Sequence, residues 1–221
     1  MIDIYFEPEY GKLNEGIEHG KNTIYKYKSD IGDVYYMFIK REIDEQIGGK
    51  QWYDLITPYG YGGPVLLKYK EEDKDLLVDK FHEDFKQYCK ENNIVSEFIR
   101  FHPIINNADD FESMYEICRI RKTIGTNLKD NEEPLQEEFS KSCRKNIRQA
   151  LGKGVSYKVI ENPKDMHDFK TFYFSTMDRN EASDYYYFDD EYFNQCIETL
   201  GEHVILVEAI FEEKPIAMGF Y

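Results

Sequence analysis

The chain has 221 residues, a length that suits one large domain or two small ones. Hydrophobic residues make up 41% and charged residues 32%, so the sequence predicts a packed core and excludes a mainly disordered chain. A formal net charge of −15 argues against non-specific binding to nucleic acids or anionic membranes, since both require a broad positive surface. It leaves room for one local basic groove.

The patterns of cysteine, histidine and apolar residues indicate the cellular compartment and the kinds of site that the protein can have. The four cysteines are scattered with no C-x-x-C pair, and the five histidines have no metal-ligand spacing. The sequence has neither a signal-peptide pattern nor an apolar run long enough to span a membrane. We therefore expect a cytoplasmic protein with free thiols, no bound metal and no integral membrane segment.

The first part of the chain predicts strands. Residues 1–20 are interrupted by proline and glycine, which leave space for at most one short helix. Residues 23–27 and 34–42 are β-rich and flank the turn-rich SDIGD, so they predict a hairpin. Residues 52–57 predict a third strand.

The third strand leads into PYGYGGP, residues 58–64, which predicts an irregular loop. Glycines allow backbone N–H groups to approach a ligand closely, and Tyr59 and Tyr61 would then form the walls of a pocket. The pattern is neither a Walker loop nor a dinucleotide fingerprint. A plain surface turn is the alternative interpretation.

Helical spacing of apolar residues predicts an amphipathic helix over residues 76–92. Its apolar positions are Leu77, Phe81, Phe85 and Tyr88. Residues 95–101 predict a strand on which Arg100 shares a face with Phe98 and needs a partner, because an unpaired buried charge is costly. Alternating apolar and charged residues over 114–124 predict another strand.

A polar linker, residues 127–134, leads towards SKSCRKNIRQALGKGV at 140–155, which predicts a helix joining two similar halves. The residues on one face are apolar: Phe139, Cys143, Ile147 and Leu151. Those on the opposite face are cationic: Lys141, Arg144, Lys145 and Arg148. Gly152 and Gly154 predict its C-terminal end. The cationic face is either an ordinary solvated surface or a site for phosphate or carboxylate.

The remainder predicts a strand, two helices and a hairpin. Residues 156–160 predict the strand, and Asn162 with Pro163 predicts a helix start. That helix is expected to bury Met166, Phe169 and Tyr173. After the aromatic loop SDYYYF, Asp189 or Asp190 caps a second helix, whose inner residues are Phe193, Ile197 and Leu200. Residues 204–211 and 215–221 predict a hairpin around EEK.

The two predicted hairpins indicate an internal repeat, since both are strand–turn–strand units with alternating patterning and an acidic turn. In the first half a strand, a glycine-rich loop, a helix and another strand follow the hairpin, whereas the second half stops at Tyr221. A natural end within an apolar strand would leave an exposed edge. We therefore expect a fragment of a longer protein, lacking the remaining strand, helix and strand of the second half.

Several motifs, in order between about residues 58 and 193, resemble the FemA/FemB/FemX-like group of the GNAT acetyltransferase superfamily. They are PYGYGGP, EFIRFHP with its following asparagine, CRKNIRQALGKGV, and TMDRN with the later YYYF and YF. The resemblance implies an α+β fold of tandem acetyltransferase-like domains, with mixed sheets flanked by helices and the second domain incomplete. The first domain would span residues 1–138. Residues 139–221 would hold the linking helix and the N-terminal part of the second domain.

The resemblance also implies transfer of an acyl or aminoacyl group to an amine. The best-known members extend peptidoglycan cross-bridges from aminoacyl-tRNA, and others use acyl donors on sugars or small molecules. This chain has no long heptad hairpin like the coiled-coil arm of some FemA-type enzymes. Its acidity weakens the case for tRNA, which leaves acyl-coenzyme A as an alternative donor. No covalently bound cofactor is expected.

Acyl transfer to an amine needs a deprotonated amine, a positioned carbonyl and a stabilised oxyanion, but no protein nucleophile. The residues expected to bind an acceptor are Tyr59, Tyr61, Arg100, Arg144, Lys145, Arg148 and Arg179. Internal ion pairs are the alternative for Arg100 and Arg179. Glu208 is either a general base or a plain strand residue, and Cys143 is expected in the core. No catalytic residue is assigned, and the chain is expected to be inactive because its second half lacks the donor-binding element.

Three functions remain open from the sequence. The first is an acyl or aminoacyl transferase acting on an amine of a cell-envelope, peptidoglycan-type precursor. The second is an acyl-coenzyme-A-dependent N-acyltransferase acting on a sugar amine or small metabolite, and the third is a non-catalytic pair of binding domains. The expected partner is accordingly an anionic cell-envelope precursor or a small-molecule amine, with tRNA disfavoured by the net charge.

Overall fold

The computed structural model describes residues 2–45 and 48–221, and it divides into two compact units, Met1–Ile120 and Arg121–Tyr221. Each unit combines helices with a β-sheet, so the fold is α+β, as predicted. Only the first of the two described sheets is mixed; the described strands of the second pair in antiparallel fashion. The domain boundary expected after residue 138 stays a prediction.

The first unit is built on a sheet in the order β1-β2-β3-β5, with β4 paired to β2. Its strands are β1 (Gly20–Lys28), β2 (Asp33–Glu42), β3 (Tyr53–Ile56), β4 (Val65–Leu67) and β5 (Ile94–Phe98). Its α-helices are α1 (Pro8–Leu13), α2 (Lys74–Glu91) and α3 (Asn107–Asp110). The predicted hairpin is β1 with β2, and β3 and β5 run parallel.

The core of the first unit lies between α2 and the sheet. The stripe predicted for α2 is buried at Leu77, Phe81 and Phe85, because residues four apart share one face of a helix. Side chains from the sheet, among them Tyr36 and Phe38 of β2, pack against it. Burial of each of these large apolar side chains stabilises the unit by about 2 kcal/mol. The packing of α2 on the sheet thereby holds the strands, and hence their ends, in place.

The second unit has a sheet in the order β6-β7-β8. Its strands are β6 (Ser156–Glu161), β7 (Ile205–Phe211) and β8 (Lys214–Phe220). Its α-helices are α4 (Pro134–Glu137), α5 (Lys141–Gly152), α6 (His167–Arg179) and α7 (Asp190–Leu200). The predicted hairpin is β7 with β8, and Glu212 and Glu213 turn the chain with φ of 49° and 63°, the left-handed values that a tight type I′ hairpin turn uses.

Helices α6 and α7 cover the second sheet with aromatic side chains. The predicted inner residues Met166, Phe169 and Phe193 are buried against Leu206 of β7, and Tyr173 packs beside them. Asp189 caps α7, as one of two predicted candidates, because its side chain accepts a hydrogen bond of 2.8 Å from the N–H of Tyr192. The second unit therefore has an apolar core of its own.

Helix α5 begins and ends as predicted. The Ser140 side chain caps it by accepting a hydrogen bond of 3.2 Å from the N–H of Cys143. At its C-terminal end Gly154 has a φ of 91°, and the N–H groups of Gly154 and Val155 bond back to Leu151 and Ala150 at 3.0 and 3.1 Å. These two bonds form a Schellman motif, which satisfies carbonyls that the helix leaves open.

The prediction that the apolar face of α5 is core is wrong. Cys143 and Leu151 are exposed, and Phe139 and Ile147 are only half-buried. Periodicity identifies the apolar side of a helix, but burial also requires an element that covers it, and no residue of α5 is buried.

The strand predicted over residues 114–124 is also wrong. Residues 116–128 are irregular, and Ile120 and Ile124 are 78% and 96% exposed. Alternation of apolar and polar residues produces a strand only where a neighbouring strand supplies the hydrogen-bonded ladder. Met114 and Tyr115 instead turn back after α3 and pack on the core of the first unit.

The helix start predicted at Asn162 and Pro163 lies too early in the chain. Asn162 has a φ of 48°, in the left-handed region that asparagine tolerates, and it ends β6 in a turn. Helix α6 begins at His167, whose N–H donates to the Asp165 carboxylate at 2.6 Å. None of the helices in the described ranges combines the length and apolar character needed to cross a bilayer.

Candidate functional site

The parallel strands β3 and β5 end side by side, and the two loops that follow them are joined by backbone bonds. The Thr57 N–H donates to the Phe98 carbonyl at 3.2 Å, and the Gly62 N–H donates to the Arg100 carbonyl at 2.8 Å. Gly62 also forms a parallel bridge with Phe101. The PYGYGGP loop is therefore attached to the EFIRFHP segment at the carboxyl ends of parallel strands, where mixed and parallel sheets commonly bind ligands.

Asn107 fixes the shape of this pair of loops. Its side-chain amide donates to the carbonyls of Gly62 and Pro64, both at 2.9 Å, and its oxygen accepts from the His102 N–H at 2.9 Å. Asn107 is fully buried. Because three backbone groups depend on this one buried side chain, Asn107 helps to hold the conformation that the glycines of the loop allow.

A cluster of aromatic side chains lines the same loops, and we call it the tyrosine–histidine cluster: Tyr5, Tyr10, Tyr61 and His102. Ring centroids lie 5.1 Å apart for Tyr5 and Tyr10, and 5.4 Å apart for Tyr61 and His102, in edge-to-face geometry. The Tyr10 hydroxyl donates to the Tyr59 carbonyl at 2.6 Å. The N-terminal segment thus closes over the loop that holds both predicted tyrosines.

His102 is 3% exposed and sits in a defined tautomer. Its Nδ1 accepts hydrogen bonds from the N–H groups of Ile104 and Ile105 at 3.3 and 3.2 Å, so the ring proton is on Nε2. Nε2 lies 3.7 Å from the Asp3 carboxylate. Burial lowers the pKa of His102 and the Asp3 charge opposes this, with burial the larger effect. The imidazole is therefore a neutral group whose N–H, on Nε2, faces the Asp3 carboxylate.

Arg100 has partners within the protein, as the alternative interpretation of an internal ion pair predicted. Its guanidinium donates to the Thr57 carbonyl at 3.2 Å, lies 3.6 Å from the Glu18 carboxylate, and covers the exposed Phe98 ring at 5.2 Å. Glu18 is 3% exposed, and the Arg100 side chain is 30% exposed. The arginine therefore balances a buried charge while part of its guanidinium stays available to solvent.

The basic face of α5, defined as Lys141, Arg144, Lys145 and Arg148, belongs to the second unit. Arg144 donates to the backbone carbonyl of Gln136, and Arg148 donates to the Gln136 side-chain oxygen at 3.1 Å. Lys145 is exposed. Both arginines hold α4 against α5, and because each guanidinium has five donors, further donors remain for an anion.

The three other candidate residues of the second unit show less of the geometry expected of a binding or catalytic site. Arg179 is exposed in the last turn of α6, and within the described residues it has no ion pair. Glu208 is half-buried on β7, directly opposite Lys158 of β6 and Met218 of β8. Cys143 is exposed.

The structure brings Tyr59, Tyr61 and Arg100 together in the first unit, and Arg144, Lys145 and Arg148 together on α5 of the second. The sequence reasoning missed His102, Asn107, Tyr5 and Tyr10. The histidine and asparagine lie in the quoted EFIRFHP stretch and just after it, so the motif held the signal. The N-terminal tyrosines carried no signal, since only folding places them on the loop.

The described residues provide no arranged site for a metal ion or for thiol chemistry. No group of three or more histidine, cysteine, aspartate or glutamate side chains there is arranged to hold a metal ion. All four cysteines are free, and burial raises the pKa of the Cys196 thiol to about 11. A thiol with so high a pKa is inert at neutral pH.

These features define an α+β protein of two units, with a loop site at the ends of parallel strands and a cationic helix face. Residues 109–213 match the model of the FemAB family. The match confirms the resemblance to the FemA/FemB-like group that was drawn from the motifs. The matched stretch is just under half of the chain and includes all of α5, β6, α6 and α7. Members of the family are aminoacyltransferases of peptidoglycan bridge synthesis. A search of curated proteins gave no match.

Proposed function

We propose that this chain belongs to an acyl or aminoacyl transferase that acts on an amine of a cell-envelope, peptidoglycan-type precursor. The observation that carries the proposal is the FemAB-family match over residues 109–213. Peptidoglycan precursors of this type are anionic, and the basic face of α5 lies within the matched stretch. Arginine forks pair well with phosphate and carboxylate, so this face is the proposed contact for the negative groups of the precursor.

The acidity of the chain makes the basic face of α5 a local feature. A net charge of −15 repels anions at long range, whereas Arg144, Lys145 and Arg148 attract them at contact distance. We therefore expect binding that depends on a few direct contacts and weakens strongly when those contacts are removed. Arg179 is proposed as a further anion contact because it is exposed and cationic.

The loop site of the first unit is proposed to bind a neutral or aromatic part of the substrate. Tyr59 and Tyr61 are half-buried, and the Arg100 guanidinium is partly open to solvent above Phe98. Stacking and hydrogen bonds from such side chains orient a ligand without adding net charge. Glu208 remains the candidate for the general base, since no other role follows from its place on β7.

The proposal includes two tandem acetyltransferase-like domains, spanning residues 1–138 and 139–221. Its structural support is that both units contain an antiparallel hairpin within a sheet that is covered by helices. Aminoacyl-tRNA is the first proposed donor. Acyl-coenzyme A is the alternative, favoured by the excess of acidic residues, which opposes association with a polyanion as large as tRNA.

Isothermal titration calorimetry of the 221-residue chain tests the proposal. A uridine-diphosphate-linked muramyl pentapeptide is expected to bind at least tenfold more tightly than uridine-diphosphate N-acetylglucosamine, which has the same diphosphate but no peptide. Aminoacyl-tRNA and acyl-coenzyme A are then titrated into the complex to identify the donor. Equal affinity for the two nucleotide sugars would contradict a peptidoglycan-type acceptor, and binding of neither sugar nor donor would favour the non-catalytic alternative.

A further inference from the structure

A cavity of about 250 Å³ lies in the first unit between α2, β5 and the turn after α3. Side chains of all three segments line it, among them Phe85 and Cys89 of α2, Glu97 of β5, and Met114 and Tyr115 of the turn. None of the residues proposed above for substrate binding lines this cavity. Its walls are mainly apolar, with one carboxylate among them.

Glu97 presents one satisfied and one open carboxylate oxygen. Its Oε2 accepts hydrogen bonds from the hydroxyls of Tyr36 at 2.9 Å and Tyr115 at 3.4 Å. Its Oε1 has no hydrogen-bond partner in residues 2–45 and 48–221, although the carboxyl group lines the cavity. The two tyrosines therefore hold the carboxylate in one orientation and leave an acceptor for a ligand.

No cation of the described residues lies within ion-pair distance of Glu97. Burial raises its pKa to about 7, against the effect of the two hydroxyl donors, which favour the ionised form. A buried carboxylate without a counter-charge is costly, and a bound cation would supply that counter-charge. Both tyrosine hydroxyls donate to Glu97 and so favour its ionised form. This favours a cationic ligand over one that requires the protonated acid.

We propose that this cavity binds a small primary alkylammonium ligand. The ammonium group pairs with Oε1 of Glu97, and the alkyl chain packs against Phe85, Met114 and Tyr115. Aromatic walls favour a cation that also carries apolar surface, because cation–π attraction and apolar burial then act together. The net charge of −15 raises the local concentration of cations around the chain. This site is independent of the proposed transferase function.

Other ionisable groups face the cavity from each neighbouring element. Helix α2 contributes His82, the exposed Lys86 and the thiol of Cys89. The hydroxyls of Tyr36 and Tyr115 donate to Glu97, and Lys40 of β2 faces Cys89 while its ammonium covers the Tyr53 ring at 4.0 Å. The pKa of Cys89 is raised to about 12, chiefly by burial, and that of Tyr36 is raised well above its ordinary value. Glu97 is thus the carboxylate of this cavity, with one oxygen open to it, and Lys86 is a competing cation.

Nuclear magnetic resonance titration of the isotope-labelled chain with n-butylammonium chloride tests the proposal. At pH 8 we expect saturable shift changes at Ser96, Glu97 and Met114, and affinity at least tenfold above that for 1-butanol, which has the same size without the charge. At pH 6 the affinity is expected to fall about tenfold as Glu97 takes up a proton. Glu97→Gln, which keeps an acceptor for both tyrosines, is expected to lose at least tenfold in affinity, whereas Glu116→Gln, at an exposed position, keeps it.

A second variant keeps the test decisive if Glu97→Gln does not fold. Lys86 is exposed on α2 and lines the cavity, so Lys86→Gln is expected to fold normally and, by removing the competing cation, to raise the affinity for n-butylammonium at least twofold. Equal affinity for n-butylammonium and 1-butanol would overturn the proposal. Unchanged binding in Glu97→Gln or Lys86→Gln, or shift changes located elsewhere, would also overturn it.

Discussion

The buried side chain of Asn107 donates a hydrogen bond of 2.9 Å to the backbone carbonyl of Gly62, which precedes it by 45 residues. The same amide also bonds the Pro64 carbonyl, and its oxygen accepts from the His102 N–H. This one residue therefore joins the two loops that follow β3 and β5. The arrangement accounts for an irregular glycine-rich loop that nonetheless has a fixed shape.

Asn107→Ala is expected to lower the free energy of unfolding of the first unit by about 3 kcal/mol, because three buried backbone groups lose their partner. The fluorescence of Trp52, the single tryptophan, reports unfolding of this unit in a denaturant titration. Ser113→Ala removes an exposed polar group nearby and is expected to change stability by less than about 0.5 kcal/mol. A similarly small effect of Asn107→Ala would show that water replaces the amide.

Gly60 has a φ of 99°, and a Cβ at this position would lie 2.4 Å from the Tyr5 ring. Gly60→Ala is expected to destabilise the first unit by about 2 kcal/mol or more, through backbone strain and displacement of Tyr5 from the tyrosine–histidine cluster. Denaturant titration measures the change. Gly16→Ala is the matched control, since a Cβ there meets open space. If both variants unfold at the same denaturant concentration, the N-terminal segment does not rest on Gly60.

Glu97 predicts an unusual dependence of stability on pH. Its pKa is about 7 in the folded chain, above the ordinary value of 4.5, so the folded state binds the proton more tightly than the unfolded state. The free energy of unfolding should therefore fall as the pH rises from about 4.5 through 7, by about 2 kcal/mol between pH 5 and pH 8 from this group alone. Glu97→Gln removes this contribution, so the variant gains stability relative to the parent chain at pH 8.

The measurement is a pair of denaturant titrations, at pH 5 and pH 8, on the parent chain and on Glu97→Gln. Glu116→Gln serves as the control for loss of one negative charge at an exposed position. His102 and other groups act equally in all three proteins, so the difference between variants isolates Glu97. An identical pH dependence in Glu97→Gln and the parent chain would mean that the carboxylate is ionised in both states.

The tautomer of His102 is a separate prediction. Because Nδ1 accepts two backbone hydrogen bonds, the ring is expected to be protonated on Nε2, and burial is expected to hold its pKa below the ordinary 6.5. Two-dimensional nitrogen–proton spectra of the imidazole report both properties, with His102→Asn identifying the resonances. A proton on Nδ1 at pH 7 would contradict the loop geometry described here.

Arg144→Ala combined with Arg148→Ala tests the basic face of α5. We expect at least a tenfold loss of affinity for the uridine-diphosphate-linked muramyl pentapeptide, since each charge-assisted contact contributes about 1.5 kcal/mol or more. Arg121→Ala with Lys122→Ala removes the same charge from an exposed irregular segment and should leave affinity within about twofold. Circular dichroism checks that α5 survives the loss of the Gln136 bonds. Equal losses in the two double variants would indicate a general charge effect.

Local sequence signals predicted the elements that depend on neighbours in the chain. The hairpins, the buried stripe of α2 and the glycine-rich C-terminal end of α5 followed from periodicity and from residues within a few positions. Two of the failures, the strand at 114–124 and the buried face of α5, share a cause, because each prediction needed knowledge of a distant partner. Residues 114–124 pair with none of the described strands, and the apolar face of α5 is not buried.

The sequence by itself determined the α+β class, the order of most helices and strands, and the family resemblance, because these follow from periodicity, turn chemistry and short motifs. Only the tertiary structure decided which side chains form sites. It placed Asn107 between two loops, closed Tyr5 and Tyr10 over the glycine-rich loop, and buried Glu97 beside an open cavity. Those outcomes depend on contacts between residues far apart in the chain, whose partners no local pattern specifies.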